Sequence, residues 1–122
     1  MRSVVVTGTS TGIGYATAQV LTGQGTSVFG SVRREADADR LQRELGPLFT
    51  PLLFDVTDGP AVARAAEQVS RHLAGRTLFG LVNNAGIAIG GPLIHQPLDE
   101  VRRHLEVNTL GALAAVQAFA AL

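Results

Sequence analysis

Val4-Val5-Val6-Thr7-Gly8-Thr9-Ser10-Thr11-Gly12-Ile13-Gly14 is the stretch on which the fold of this chain turns. A β-branched apolar run ends in a cluster of small residues. Apolar residues then recur at helical spacing, at Ile13, Ala16, Val20 and Leu21. The pattern reads as a strand, a tight glycine turn and a helix N-terminus. Such a turn lets backbone N–H groups and the positive end of a helix dipole approach a pyrophosphate with no Cβ in the way. The glycines are separated by three residues and then by one. The commoner dinucleotide fingerprint has the reverse arrangement, one and then two. A plain loop with Ser10 or Thr11 as helix cap is the bland alternative. Placement between strand and helix favours the phosphate reading for Gly8, Thr9, Ser10, Thr11, Gly12, Ile13 and Gly14.

Outward from this turn, strand and helix signals alternate. Ser3 to Val6 is the first strand and Ser27 to Val32 the second, with a helix between them that ends at Gly23 and Gly25. Glu35 to Leu45 is a charged amphipathic helix closed by Gly46-Pro47. Leu52 to Phe54 is a third strand, ending at Asp55. Thr57 or Asp58 caps a helix with Pro60 in its first turn, running to about His72. Leu78 to Val82 is a fourth strand, a glycine-rich loop covers Gly86 to Gly91, and helices begin at Asp99-Glu100 and at Asn108. Four alternations with short connections predict an α/β fold, a doubly wound parallel sheet of the Rossmann type. The order expected for a dinucleotide-binding sheet is 3-2-1-4. Residues 1–122 are expected to be one half of such a fold, ending within a helix, with no second domain.

Composition agrees. The chain is 46% hydrophobic with ten basic and ten acidic residues, and its mean hydropathy is +0.24. These values describe a folded globular chain and exclude a disordered one. The scattered charges leave no footprint for nucleic acid. No cysteine is present, so neither a disulfide framework nor a thiolate metal site is available. The apolar tract from Leu110 to Leu122 is shorter than the ~20 residues a membrane helix needs. A cytoplasmic protein without membrane contact is expected.

Three further blocks stand at the carboxyl ends of strands or on the helix beyond: Val32-Arg33-Arg34, Asp55-Val56 and Asn83-Asn84-Ala85-Gly86, followed by Asn108 within Glu106-Val107-Asn108-Thr109-Leu110-Gly111. Together with Thr7-Gly8-x-x-x-Gly12-Ile13-Gly14 they resemble the short-chain dehydrogenase/reductase family along essentially the whole chain. The resemblance implies a role for each. Asp55 would accept from the adenine amine, and Val56 N–H would meet the ring. An acid at the end of the second strand marks NAD-preferring members. Here Val32 and Arg33 follow instead, which implies NADP(H) rather than NAD(H), since a guanidinium pairs bidentately with a 2′-phosphate. Arg34 is its backup. Asn84, Ala85 and Gly86 are assigned to the cofactor and Asn83 to sheet support. Asn108 matches the asparagine the family counts as a catalytic member, which disturbs its helix so that a carbonyl holds a water in a proton relay. Read without the family, Asp55 could be a helix-start acid, the arginines a solvated helix opening, and Asn108 a plain polar contact.

Other residues carry less. Tyr15 is the only tyrosine, has Gln19 four residues on, and is expected to pack on its helix. His72, His95 and His104 have no metal-ligand spacing, so no metal is expected. Asp99-Glu100 is a helix start.

The resemblance implies hydride transfer between a nicotinamide and an alcohol or carbonyl. The family's catalytic Ser and Tyr-x-x-x-Lys lie outside this sequence, which contains no lysine. The chain is expected to be the inactive cofactor-binding half of an NADP-dependent oxidoreductase. A non-catalytic nucleotide-binding or protein-interaction module is the alternative, and a Tyr-x-x-x-Lys in frame beyond Leu122 would decide for the first. Gly90-Gly91-Pro92-Leu93 resembles members acting on apolar ketones or alcohols. An uncovered fourth strand and last helix predict low solubility, partial disorder or association through that surface, with a homo-oligomer the expected partner state.

Overall fold

The computed structural model describes residues 1–122. Four parallel strands, β1 (Ser3–Val6), β2 (Ser27–Val32), β3 (Phe49–Leu53) and β4 (Gly80–Val82), form one sheet in the order β3-β2-β1-β4. That is the expected doubly wound order. Between them lie α1 (Gly12–Gly23), α2 (Glu35–Leu45) and α3 (Gly59–Leu73); after β4 come α4 (Leu98–Leu105) and α5 (Ala112–Phe119).

Side-chain alternation on the strands divides the core in two. Val4 and Val6 of β1, with Val28 and Val32 of β2, pack with Ala18 of α1, Leu41 of α2 and Phe49 of β3. Val5 and Phe29 point to the opposite face, where Val62, Ala65 and Val69 of α3 and Ala115 and Phe119 of α5 cover them. Val5, Val6, Val28, Leu41, Leu52 and Val69 are fully buried. Each such side chain contributes about 1.5–3 kcal/mol relative to exposure. A continuous apolar run in β1 is therefore what a strand covered on both faces requires.

The boundaries differ from expectation where a neighbour decides them. β3 begins at Phe49 and includes Pro51, because β3 is an edge strand and one flank of its backbone owes no ladder bond. β4 is cut to Gly80–Val82, at the other edge. α4 and α5 are not separate helices. A π-helical turn, Glu106–Gly111, joins them into one rod. Gly111 permits this, since a Cβ there would stand 2.6 Å from Val56 Cγ2. α5 stops at Phe119, short of the expected Leu122, and Leu122 O accepts from Leu78 N at 3.0 Å.

Candidate cofactor site

The carboxyl ends of β1, β2 and β3 open onto a cleft of about 310 Å³, walled on its far side by α4. The glycine turn crosses it. Gly8 takes φ +71°, a region that favours glycine, and a Cβ there would lie 2.9 Å from Ala85 Cα. Gly14 is buried beneath the turn, where a Cβ would collide with the Gly8 carbonyl. The two glycines therefore let β1, β4 and α1 approach one another at one point. Thr11 occupies the N-cap of α1 but makes no side-chain capping bond, and the first turn carries no acid. The N–H groups of Ser10, Thr11, Gly12, Ile13 and Gly14 donate to no backbone carbonyl. These are the orphan donors of a helix start, left open.

Polar side chains hold the turn from behind. Thr9 is fully buried and does not reach the cleft; its Oγ1 donates to Ser31 O at 3.0 Å, and its amide donates to the same oxygen at 2.9 Å. Gly8 N donates to Ser31 Oγ at 2.8 Å. Arg40 reaches from α2 to the Ser10 carbonyl at 2.6 Å. With that carbonyl drawn toward α2, the amides that follow it stay free.

Gly8, Ser10, Thr11, Ile13, Arg33, Asp55, Val56, Asn84, Ala85 and Gly86 all line the cleft, while Thr9, Gly12 and Gly14 do not. Ile13 is 79% exposed, an apolar side chain without cover at the rim. Asn84 does more than line: its Nδ2 donates to Thr7 O at 3.1 Å and to Gly8 O at 2.9 Å. Thr7 Oγ1 in turn accepts from the amides of Asn84 and Ala85 at 3.0 and 2.9 Å. The side chain of Asn84 thus ties β4 to the turn, the structural task expected of Asn83. Asn83 Nδ2 instead donates to Ala112 O on α5 at 3.2 Å.

At the other end, Asp55 Oδ1 accepts from Thr57 N at 3.0 Å and from Thr57 Oγ1 at 2.8 Å, a turn of the Asx type. Partial burial opposes its ionisation. The Thr57 bonds and the nearby Arg33 and Arg103 charges outweigh this, so its carboxyl sits below the usual aspartate value. Helix capping at α3 falls to Asp58, whose side chain accepts from Ala61 N. Arg34 is paired with Asp37 at 3.1 Å, whereas Arg33 has no ion-pair partner.

Asn108 lies in the π-helical turn, and its amide grips the loop after β4. Its Oδ1 accepts from Ile87 N and its Nδ2 donates to Ile87 O, both at 2.8 Å. Ile89 N donates to His104 Nε2 at 2.7 Å, and Gln96 Nε2 donates to Ile89 O at 3.3 Å. His104 therefore anchors this loop, a role its isolation in the sequence did not suggest. Tyr15 O–H donates to Glu44 at 2.8 Å across α1 and α2, and this bond pushes the phenol pKa up. No group of three His, Cys, Asp or Glu side chains converges.

Sequence reasoning missed Ser31, Phe54, Thr57, Ile87, Arg103 and Val107 as cleft residues. The two-residue step from Asp55 to Thr57 is a readable turn signal. The doublet Arg102-Arg103 repeats Arg33-Arg34. The others reach the cleft only through sheet order and helix packing.

A parallel sheet of this order, with an open glycine turn across its carboxyl ends, defines a dinucleotide-binding fold of the doubly wound class. More particularly, the chain belongs to the short chain dehydrogenase family, whose sequence profile matches residues 2–122. It is similar to the NADPH-dependent 3-dehydrocapnine reductase of Ornithobacterium rhinotracheale, 42% identical over 96% of this chain and 41% of that protein. Retinol dehydrogenase 5 of Homo sapiens is 38% identical over 94% of this chain and 36% of its own length. The crystal structure of NADPH-bound carbonyl reductase from chicken fatty liver superposes with a TM-score of 0.90 at 32% identity. It covers 98% of this chain and 50% of that one. The chain thus spans half or less of these relatives. No helix is long and apolar enough to cross a membrane.

Proposed function

We propose that this chain binds NADP(H) in the cleft and forms the cofactor-binding part of an oxidoreductase acting on an alcohol or carbonyl. One observation carries the reading: Ser10, Thr11 and Ile13, whose amides donate to no backbone carbonyl, share an opening with the unpaired Arg33. In this reading the amides receive a diphosphate and Arg33 a 2′-phosphate. Asp55, held ionised, accepts the adenine amine. The similar Ornithobacterium reductase is NADPH-dependent and the similar carbonyl reductase structure is bound to NADPH, which supports this cofactor. When bound, the nicotinamide supplies or takes up the hydride. Ala85, Gly86 and Ile87 form the wall beside the glycine turn, and Asn108 keeps that wall in place through Ile87. The helix disturbed at Asn108 supports its family role in the proton relay. The chain contains no Tyr-x-x-x-Lys. Tyr15, its phenol pushed up by Glu44, is no substitute for a general base. The chain alone therefore binds cofactor without turning over substrate.

The substrate belongs to the same reading. Leu93 and Ile94, 81% and 87% exposed on the loop after β4, favour an apolar alcohol or ketone. The exposed Leu105, Leu110, Leu113 and Val116 along the α4–α5 rod favour self-association. Light scattering on a sizing column tests this; a monomer at every concentration overturns it.

Titration of the chain with NADPH and NADH, followed by calorimetry, tests the cofactor. Tighter binding of NADPH is expected. Equal affinity overturns the phosphate role of Arg33, and no binding of either overturns the reading.

A further inference from the structure

Two arginine doublets occur at the cleft, and each is divided in the same way. In Arg33-Arg34 the second residue is tied to Asp37 at 3.1 Å, and in Arg102-Arg103 the first is tied to Asp99 at 2.9 Å. The remaining members, Arg33 and Arg103, have no ion-pair partner and both line the cleft. They approach from different elements, Arg33 from the end of β2 and Arg103 from α4.

We propose, resting on the cofactor reading above, that Arg103 is a second binding residue for the adenosine half, covering the base rather than pairing with a 2′-phosphate. Its position decides between those two roles. Arg103 stands four residues before Val107, and both line the opening, so one face of the rod forms the outer wall. Phe54, Asp55 and Val56 form the floor facing that wall. Arg33 and Arg103 both favour the ionised Asp55 carboxyl, so the two charges flank it, and the place of Arg103 on the rod beside Val107 is what sets it over the base. Arg33 follows Val32 on the ribose side of the same opening. A guanidinium is planar and weakly hydrated, so it lies against a π-face at little desolvation cost. Such a contact is indifferent to what the ribose carries. The two arginines thus divide the work: Arg33 reads the 2′-phosphate and Arg103 holds the base.

Adenosine 5′-monophosphate and adenosine 2′,5′-bisphosphate are the probes, titrated calorimetrically into the chain and into Arg33→Ala, Arg103→Ala, Arg103→Lys and Arg102→Ala. Arg103→Ala is expected to weaken both ligands by the same factor, about tenfold. Arg33→Ala should weaken only the bisphosphate, and Arg102→Ala neither. Lysine at 103 restores the charge but not the plane, so only partial recovery is expected. Loss confined to the bisphosphate in Arg103→Ala would make it a phosphate contact and overturn the proposal. Unchanged affinity for both ligands, or full rescue by lysine, would also overturn it. A parent chain that binds neither probe refutes the cofactor reading itself. An unchanged circular dichroism spectrum of each variant confirms that the readout is binding.

Discussion

Asn108 holds Ile87 by both of its backbone groups, donating to the carbonyl and accepting from the amide at 2.8 Å each. A side-chain amide here does what a neighbouring strand would do, because the loop after β4 leaves the sheet and has no ladder of its own. His104 and Gln96 continue the arrangement at Ile89. Two side chains of the rod formed by α4, the π-helical turn and α5 thus hold the loop after β4, and Gln96 braces it from just before α4.

Asn108→Ala removes two such bonds at an exposed position and should cost about 1–2 kcal/mol of stability. The local effect is the sharper test. Amide hydrogen exchange at Ile87 should accelerate strongly while exchange in β1 stays as it was. Unchanged protection at Ile87 would show that the loop is held by other means.

Arg33→Asp replaces the unpaired cation at the end of β2 with a carboxylate. A charge-assisted contact contributes about 1.5–3 kcal/mol, so the preference for NADPH over NADH should fall about tenfold to a hundredfold. Calorimetry with both cofactors checks it, and a constant ratio would assign the 2′-phosphate elsewhere.

Gly14→Ala puts a methyl group against the Gly8 carbonyl and 2.5 Å from Asn84 Nδ2. Neither is the free end of a flexible chain, so the turn must shift. A loss of about 1–3 kcal/mol is expected in denaturant unfolding. Gly12→Ala makes a useful contrast: nothing lies within 4 Å, but φ is +61°, so its cost is backbone strain alone.

Asp55 links stability to pH. Its folded pKa lies below the ordinary value, so the stability it adds is complete above roughly pH 5 and lost as pH falls through the folded value. Asp55→Asn should therefore be less stable than the parent near neutrality, with the gap closing on acidification. A gap independent of pH between roughly 7 and 3 would mean that the charge of Asp55 is not what its surroundings stabilise.

Arg40→Ala releases the Ser10 carbonyl from α2. The glycine turn then loses the contact that keeps its amides directed outward, and NADPH and NADH should weaken together. A selective loss of NADPH would instead make Arg40 a phosphate ligand.

Local chemistry made the α/β class and the glycine turn legible in the sequence, and the dinucleotide-binding pattern implied the sheet order. A β-branched run, a Gly-x-x-x-Gly-x-Gly turn and helical spacing after it depend on neighbours a few residues away, and those are visible in the sequence. What Thr9 and Asn84 do was not legible, nor was the grip of Asn108 on Ile87. Thr9 sits among the cofactor candidates, yet turns inward because β2 offers it Ser31 O. Asn84 spends its amide on Thr7 and Gly8, some 76 residues away in sequence. The π-helical turn that joins α4 to α5 has no propensity signal, because it answers to packing against Val56 at Gly111.

The same division separates the four arginines of the two doublets. The sequence alone determined that basic doublets occur at the end of β2 and on α4. Only the tertiary structure decided which member of each faces the cleft, because acids three residues away capture Arg34 and Arg102 while sheet and helix geometry leave Arg33 and Arg103 free. A local pattern sets which elements form. The partners that a side chain meets across the fold set what it does there.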